Sequence, residues 1–124
     1  MNSSTRFQKL VADAKSRIKE VFASDVVAQT GAEKPIIIDV REDSDWNEGH
    51  AQGAIHLSRG IIELKIEDKI PDPNTPIVCY CGGGSRSALA VDNLQKMGYT
   101  NVASLAGGFK AWKDSGGPVS NDPE

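Results

Sequence analysis

Val78-Cys79-Tyr80-Cys81-Gly82-Gly83-Gly84-Ser85-Arg86-Ser87 joins a short apolar run to three glycines and then to a segment with helical spacing. Pro76 to Tyr80 reads as a buried strand, because the run is short and apolar and stops at glycine. Ser85 to Met97 carries Ala88, Leu89, Val91, Leu94 and Met97 at helical spacing, and Gly98 closes it as a C-terminal cap. Strand, glycine loop, helix is the repeating unit of a parallel sheet covered by helices.

The same unit recurs on both sides. Ile36 to Val40 reads as a second buried strand, β-branched and bounded by Pro35 and by charges, and Val102 to Leu105 as a third. Gly107-Gly108 then leads into a helix with Phe109 and Trp112 that ends near Gly116-Gly117-Pro118. Ala54 to Leu57 is a weaker strand, and Ser24-Asp25 caps a short helix through Gln29, followed by a turn from Thr30 to Pro35. Phe7, Leu10, Val11, Ala14, Ile18, Val21 and Phe22 fall near spacings of three, four and seven, so residues 5 to 20 read as an amphipathic helix that packs on the same domain, with a dimer contact or a membrane-surface helix as the other reading. The expected fold is α/β, with a mainly parallel central sheet, helices on both faces and an added N-terminal amphipathic helix.

The chain has 124 residues, 39% hydrophobic and 25% charged, which suits one domain and excludes a disordered or collagen-like polymer. No apolar run approaches the roughly 20 residues of a membrane span. The first residues lack a continuous apolar stretch of secretory type, so a cytoplasmic location is expected. Net charge is −3, with five cations against two anions in residues 1 to 23 and −6 in the remainder, where no basic stripe supports nucleic-acid binding. Cys79 and Cys81 are too close along an extended strand for an easy disulfide, which leaves a reactive thiol open.

Chemistry concentrates at the glycine loop. A cysteine placed where a parallel strand ends, ahead of a helix, sits where open α/β sheets bind ligands. Glycines let successive N–H groups point into one concavity, and the positive end of the helix adds to the field, so an anion is expected there. The same field favours the thiolate of Cys81, with Arg86 close by. Read from the residues alone, a glycine-rich turn with a buried cysteine fits equally well.

Cys81-Gly82-Gly83-Gly84-Ser85-Arg86-Ser87 resembles the Cys-x-x-Gly-x-Arg-Ser active-site loop of single-domain rhodaneses, sulfurtransferases that carry sulfane sulfur as a cysteine persulfide. Asp39-Val40-Arg41-Glu42 followed by Gly49-His50-Ala51-Gln52-Gly53-Ala54-Ile55-His56 is similar to that family's Asp-Val-Arg-Glu and Gly-His-Ile-x-Gly-Ala-x-Asn signature, with Ala51 in place of Ile and His56 in place of Asn. Gly107-Gly108-Phe109-Lys110-Ala111-Trp112 resembles its C-terminal signature. On this resemblance the chain divides into an N-terminal helical segment 1–22, a rhodanese domain 23–119 and a tail 120–124.

The resemblance implies sulfur transfer from a small anionic donor such as thiosulfate, through a Cys81 persulfide, to cyanide, a thiol or a protein acceptor. Gly82, Gly83, Gly84, Ser85 and Arg86 are the expected substrate-binding residues. From Cys81 to Arg86 the loop counts six residues, as in the family's sulfurtransferases, whereas the related phosphatases use seven. A persulfide carrier serving a partner protein is the alternative. No cofactor, metal, membrane or nucleic acid is implied, and a monomer or weak homodimer is expected.

Among the supporting residues, Asp39 and Arg41 read as a charge pair bracing the loop, with substrate contact as the other reading. Glu42, Asp43, Asp45 and Glu48 read as a solvated helix start, and His50 as a structural histidine. Cys79 shares a strand face with Cys81 and reads as core, or else as a resolving thiol. Phe109 and Trp112 read as core anchors.

Overall fold

The computed structural model describes residues 5–29 and 34–122. Helix α1 (Arg6–Lys15) starts at Thr5, whose hydroxyl accepts the Gln8 amide while the Gln8 side chain accepts the Thr5 amide. The chain then runs through β1 (Lys19–Phe22), α2 (Ala23–Ala28), β2 (Ile36–Asp39), α3 (Asp43–Glu48), β3 (His50–Ala51) and β4 (Ile55–His56). It continues through α4 (Ile62–Lys69), β5 (Ile77–Tyr80), α5 (Ser85–Lys96), β6 (Val102–Ala106), α6 (Gly108–Asp114) and β7 (Val119–Ser120). Five strands form one sheet in the order β1-β6-β5-β2-β4, every pair parallel. β3 and β7 make a small antiparallel ribbon.

Alternation along β5 assigns the two faces. Ile77 and Cys79, with Cys81 just beyond the strand, join a core with Ile38, Ile62, Ile66, Val91 and Leu94, which lies under α4 and α5. Val78 and Tyr80 point the other way, into a core with Val26, Trp46, Leu105 and Trp112. Helices thus cover both faces, and Cys79 and Cys81 do share a side.

One element departs from the expected pattern. The helix expected over residues 5 to 20 stops at Lys15, and Lys19–Phe22 is an edge strand in register with Ala103–Ala106. The helical spacing of Val21 and Phe22 loses to the ladder that β6 offers, and Phe22 ends largely exposed. Val11 and Ala14 are the buried positions of α1, which is tied to α5 by Arg17: its Nε and Nη2 donate to the two Asp92 carboxylate oxygens at 3.1 and 2.8 Å. The other expected strands and helices lie within a residue or two of their anticipated ends, except that Ser24 and Asp25 do not cap α2: the helix starts at Ala23 behind Phe22, no side chain caps it, and both residues fall in its first turn. Residues 30–33 of the turn expected after Gln29 fall outside the described residues.

The sheet order places the site. From β2 the chain moves outward to β4, then returns to the other side of β2 for β5 and β6. The order reverses between β2 and β5, and a crevice opens at the carboxyl ends of such a pair. Asp39 and Val40 end one strand, and Tyr80 and Cys81 the other.

Candidate active site

Cys81 follows the last residue of the central strand, with its carbonyl accepting the Phe109 amide at 2.8 Å. That bond fixes the strand end to the start of α6. Gly108 makes it feasible: its φ is +60°, and a Cβ there would collide with the carbonyls of Cys81 and Gly82. Gly84, at φ +104°, turns the loop into α5 and lies against the Gly107 amide and the Leu105 carbonyl. Gly82 and Gly83 have room for a side chain, so the expected need for glycine narrows to one loop position of the three.

The chain curls so that donors meet the sulfur. The Gly84 amide donates to Cys81 Sγ at 3.1 Å and the Ser87 amide at 3.4 Å, and the Ser87 hydroxyl lies 3.5 Å from it. Cys81 is only 2% exposed. Burial pushes the thiol up, but the Ser87 hydroxyl and the amides of Ser87, Gly84 and Gly83 outweigh it and hold the thiol below its ordinary value. Two residues earlier, burial pushes Cys79 up to about 12, with Cys81 adding to the effect, which makes it an inert core thiol at neutral pH.

The expected substrate-binding residues divide. Gly83 and Gly84 supply amides to the sulfur, whereas Gly82, Ser85 and Arg86 make no described hydrogen bond with it. Ser85 and Arg86 form the first turn of α5, and the Arg86 guanidinium lies 3.9 Å from Glu42 at the half-exposed rim. Ser87, quoted in the motif but given no role, is the side chain nearest the chemistry. Behind it stands Ser104 of β6, with its hydroxyl 2.8 Å from that of Ser87. A lone serine inside an apolar strand is the signal that could have drawn attention to Ser104.

Asp39 and Arg41 are the buried charge pair expected of them. Arg41 donates to Asp39 through its backbone amide, Nε and Nη2, and Nη2 also reaches the Gly49 carbonyl at 2.7 Å. Tyr80, immediately before Cys81, donates its hydroxyl to Asp39 at 2.7 Å and accepts the Ala51 amide. His50 is held by the Trp46 carbonyl and stacks on the Trp46 ring. Asp43, Asp45 and Glu48 belong to α3, and Glu42 precedes it without a side-chain capping bond. Among the described residues no three His, Cys, Asp or Glu side chains gather to hold a metal ion, and no helix is long and apolar enough to cross a membrane. A cleft of about 370 Å³, lined by Phe22, Val26, Ile77 and Ala103 among others, opens near β1 and is lined by no cysteine, serine or threonine. The site is instead the ring of donors around the Cys81 sulfur.

A family model of the rhodanese-like domain matches residues 22–115. The thiosulfate sulfurtransferase GlpE of Shewanella oneidensis is 32% identical over 100 residues, covering 81% of this chain and 97% of that protein. The thiosulfate sulfurtransferase PspE of Escherichia coli is 38% identical over 73 residues, covering 59% of this chain and 69% of its own. Among solved structures, a protein of unknown function from Rhodopseudomonas palustris, described as a "possible tyrosine phosphatase", superposes with a TM-score of 0.81 at 33% identity, covering 97% of this chain and 99% of that one. A cysteine cradle at the sheet's switch point, and a family match running from the end of β1 to just past α6, lead to one conclusion: this chain belongs to the family of rhodanese-like domains.

Proposed function

We propose that this protein is a sulfurtransferase that moves a sulfane sulfur from a donor such as thiosulfate to a thiophilic acceptor through a persulfide on Cys81. The observation that carries the reading is the Cys81 sulfur facing the Gly84 and Ser87 amides at 3.1 and 3.4 Å. The Cys81 thiolate attacks the outer sulfur of thiosulfate; a Cys–S bond forms as the donor's S–S bond breaks, and the electron pair leaves with sulfite. Cyanide or a thiolate then takes the outer sulfur and restores the Cys81 thiolate.

The loop amides stabilise the anionic sulfur in both states, which is the electrostatic part of the catalysis. Arg86, at the half-exposed rim, attracts the anionic donor. Thiosulfate as donor is supported by the names of the GlpE and PspE relatives, and the six-residue loop supports sulfur over phosphate. Two free cysteines suit the reducing cytoplasm, where the working thiol stays unpaired.

Mass spectrometry of the intact protein after thiosulfate treatment tests the reading. A gain of one sulfur on the wild type, absent from Cys81→Ser and removed by cyanide as thiocyanate, is the expected result. No gain on the wild type refutes thiosulfate as donor. Loading without turnover on cyanide or small thiols points to a carrier serving a partner protein. Cys81-dependent release of phosphate from an aryl phosphate, without sulfur gain, replaces sulfur transfer with the phosphatase activity suggested for the Rhodopseudomonas palustris neighbour.

A further inference from the structure

Cys81 Sγ, Ser87 Oγ and Ser104 Oγ form a line running from the crevice into the core. The steps are 3.5 and 2.8 Å, and the residues are 2%, 0% and 0% exposed. The three come from three elements: the end of β5, the first turn of α5 and the middle of β6. Neither serine hydroxyl has another described partner, so the direction of donation along this line is set by its three members alone. A serine side chain at this position of β6 faces the helices and stands level with Cys79 in the strand register, where an apolar residue would pack equally well.

We propose that Ser104 is a positioning residue for the reactive cysteine, setting the direction in which the Ser87 hydroxyl points. This rests on Cys81 being the working nucleophile. Two hydrogen bonds along the line can both run inward or both run outward, which gives two arrangements. When Cys81 is a thiol, its S–H donates to Ser87, and Ser87 donates to Ser104. When Cys81 is a thiolate, both hydroxyls rotate: Ser104 donates to Ser87, and Ser87 donates to the sulfur. The thiol proton leaves to solvent, and each hydroxyl keeps its own hydrogen.

Donation by Ser104 strengthens the Ser87 donor and removes the competing acceptor that would turn Ser87 away from the anion. The charged and titratable groups on the packed elements are Cys79 and Tyr80 on β5, Arg86, Asp92 and Lys96 on α5, and Lys19 and Glu20 on β1, with Glu20 opposite Ser104 and Glu42 beside Arg86. None of them hydrogen-bonds to either hydroxyl among the described residues.

The test is the pH dependence of Cys81 alkylation by iodoacetamide, read on the Cys81 peptide by mass spectrometry, with a thermal melt of each variant. Ser104→Ala should move the midpoint upward and slow alkylation at neutral pH by about threefold, the loss expected for one hydrogen bond in a chain that ends on an anion. Ser87→Ala should move it further. Adding Ser104→Ala to Ser87→Ala should move it no more, because Ser104 acts only through Ser87. Ser104→Thr keeps the hydroxyl and should retain the wild-type midpoint. Should Ser104→Ala fail to fold, Ser104→Cys fills nearly the same space with a weak donor and should shift the midpoint upward too.

An unmoved midpoint in folded Ser104→Ala or Ser104→Cys overturns the proposal, as do additive shifts in the double variant. A lowered melting temperature with an unchanged midpoint makes Ser104 a packing residue only. Failure of the sulfur-transfer reading shows separately, as a wild type that gains no sulfur from thiosulfate, and leaves the alkylation midpoints to decide the role of Ser104.

Discussion

Replacing Asp39 by alanine would strand a buried cation. Asp39 is 0% exposed and Arg41 7%, and the carboxylate takes the Arg41 backbone amide at 2.8 Å, Nη2 at 2.8 Å and the Tyr80 hydroxyl at 2.7 Å. In Asp39→Ala, Arg41 keeps the Gly49 carbonyl and the faces of the Phe109 and Tyr80 rings, 4.4 and 5.6 Å from the guanidinium carbon, but no anion. Removing one partner of a buried ion pair costs about 3–5 kcal/mol, because the other charge stays desolvated. A domain of this size has roughly 5–15 kcal/mol in all, so the variant should sit near the edge of folding.

In melting temperature the loss corresponds to roughly 10–20 °C. Asp39→Asn keeps the volume and an acceptor for the Arg41 amide while losing the charge, and it should lose roughly half as much. Trp46 and Trp112, both buried, report unfolding by fluorescence in a urea titration. Truncation of the exposed pair Lys110 and Asp114, 80% and 65% exposed, serves as the control and should leave the midpoint where it is. An Asp39→Ala loss below about 1 kcal/mol, the range of exposed pairs, would refute the reasoning.

Sulfur loading should rise with pH and reach half its maximum below the roughly 8.5 of a free cysteine, since the Cys81 thiol is held down; a midpoint above that value contradicts the cradle. Between the folded and unfolded values the unfolded chain binds more protons, so wild type should gain stability over Cys81→Ser as pH rises through that window and lose the gain as pH falls through the folded value. Gly108→Ala forces a Cβ against the Cys81 and Gly82 carbonyls and should cut sulfur loading at least tenfold as the loop shifts; full loading would show that the loop accommodates it. Deleting residues 1–22 removes β1 from β6 and Arg17 from Asp92 and should lower the melting temperature; a truncated chain melting with the full one would make the segment a mere appendage.

The buried strands are legible in the sequence because Ile36–Ile38 and Ile77–Val78 are short, apolar and punctuated by proline or glycine. α5 is legible because its apolar spacing and Gly98 agree. Helix α4 carries no such signal: only Ile62 and Ile66 are buried, Leu64 faces solvent, and no side chain caps its start. β1 misleads, since Val21 and Phe22 fit a helical stripe until β6 offers them a ladder. At the site, Cys81 and its loop stand out by spacing, while Ser104 becomes a neighbour only when β6 is laid beside β5. Gly108 likewise shows its purpose only through a carbonyl 27 positions earlier in the chain. Pairings of that kind live in the sheet order, which no local pattern encodes.

The depth of Cys81 within the central strand's end has a consequence for traffic. An almost fully covered sulfur admits reagents that are slender at the tip. Adding one sulfur lengthens the reactive arm by about 2 Å. On the proposed persulfide, an acceptor would meet a longer arm when it is loaded than when it is empty.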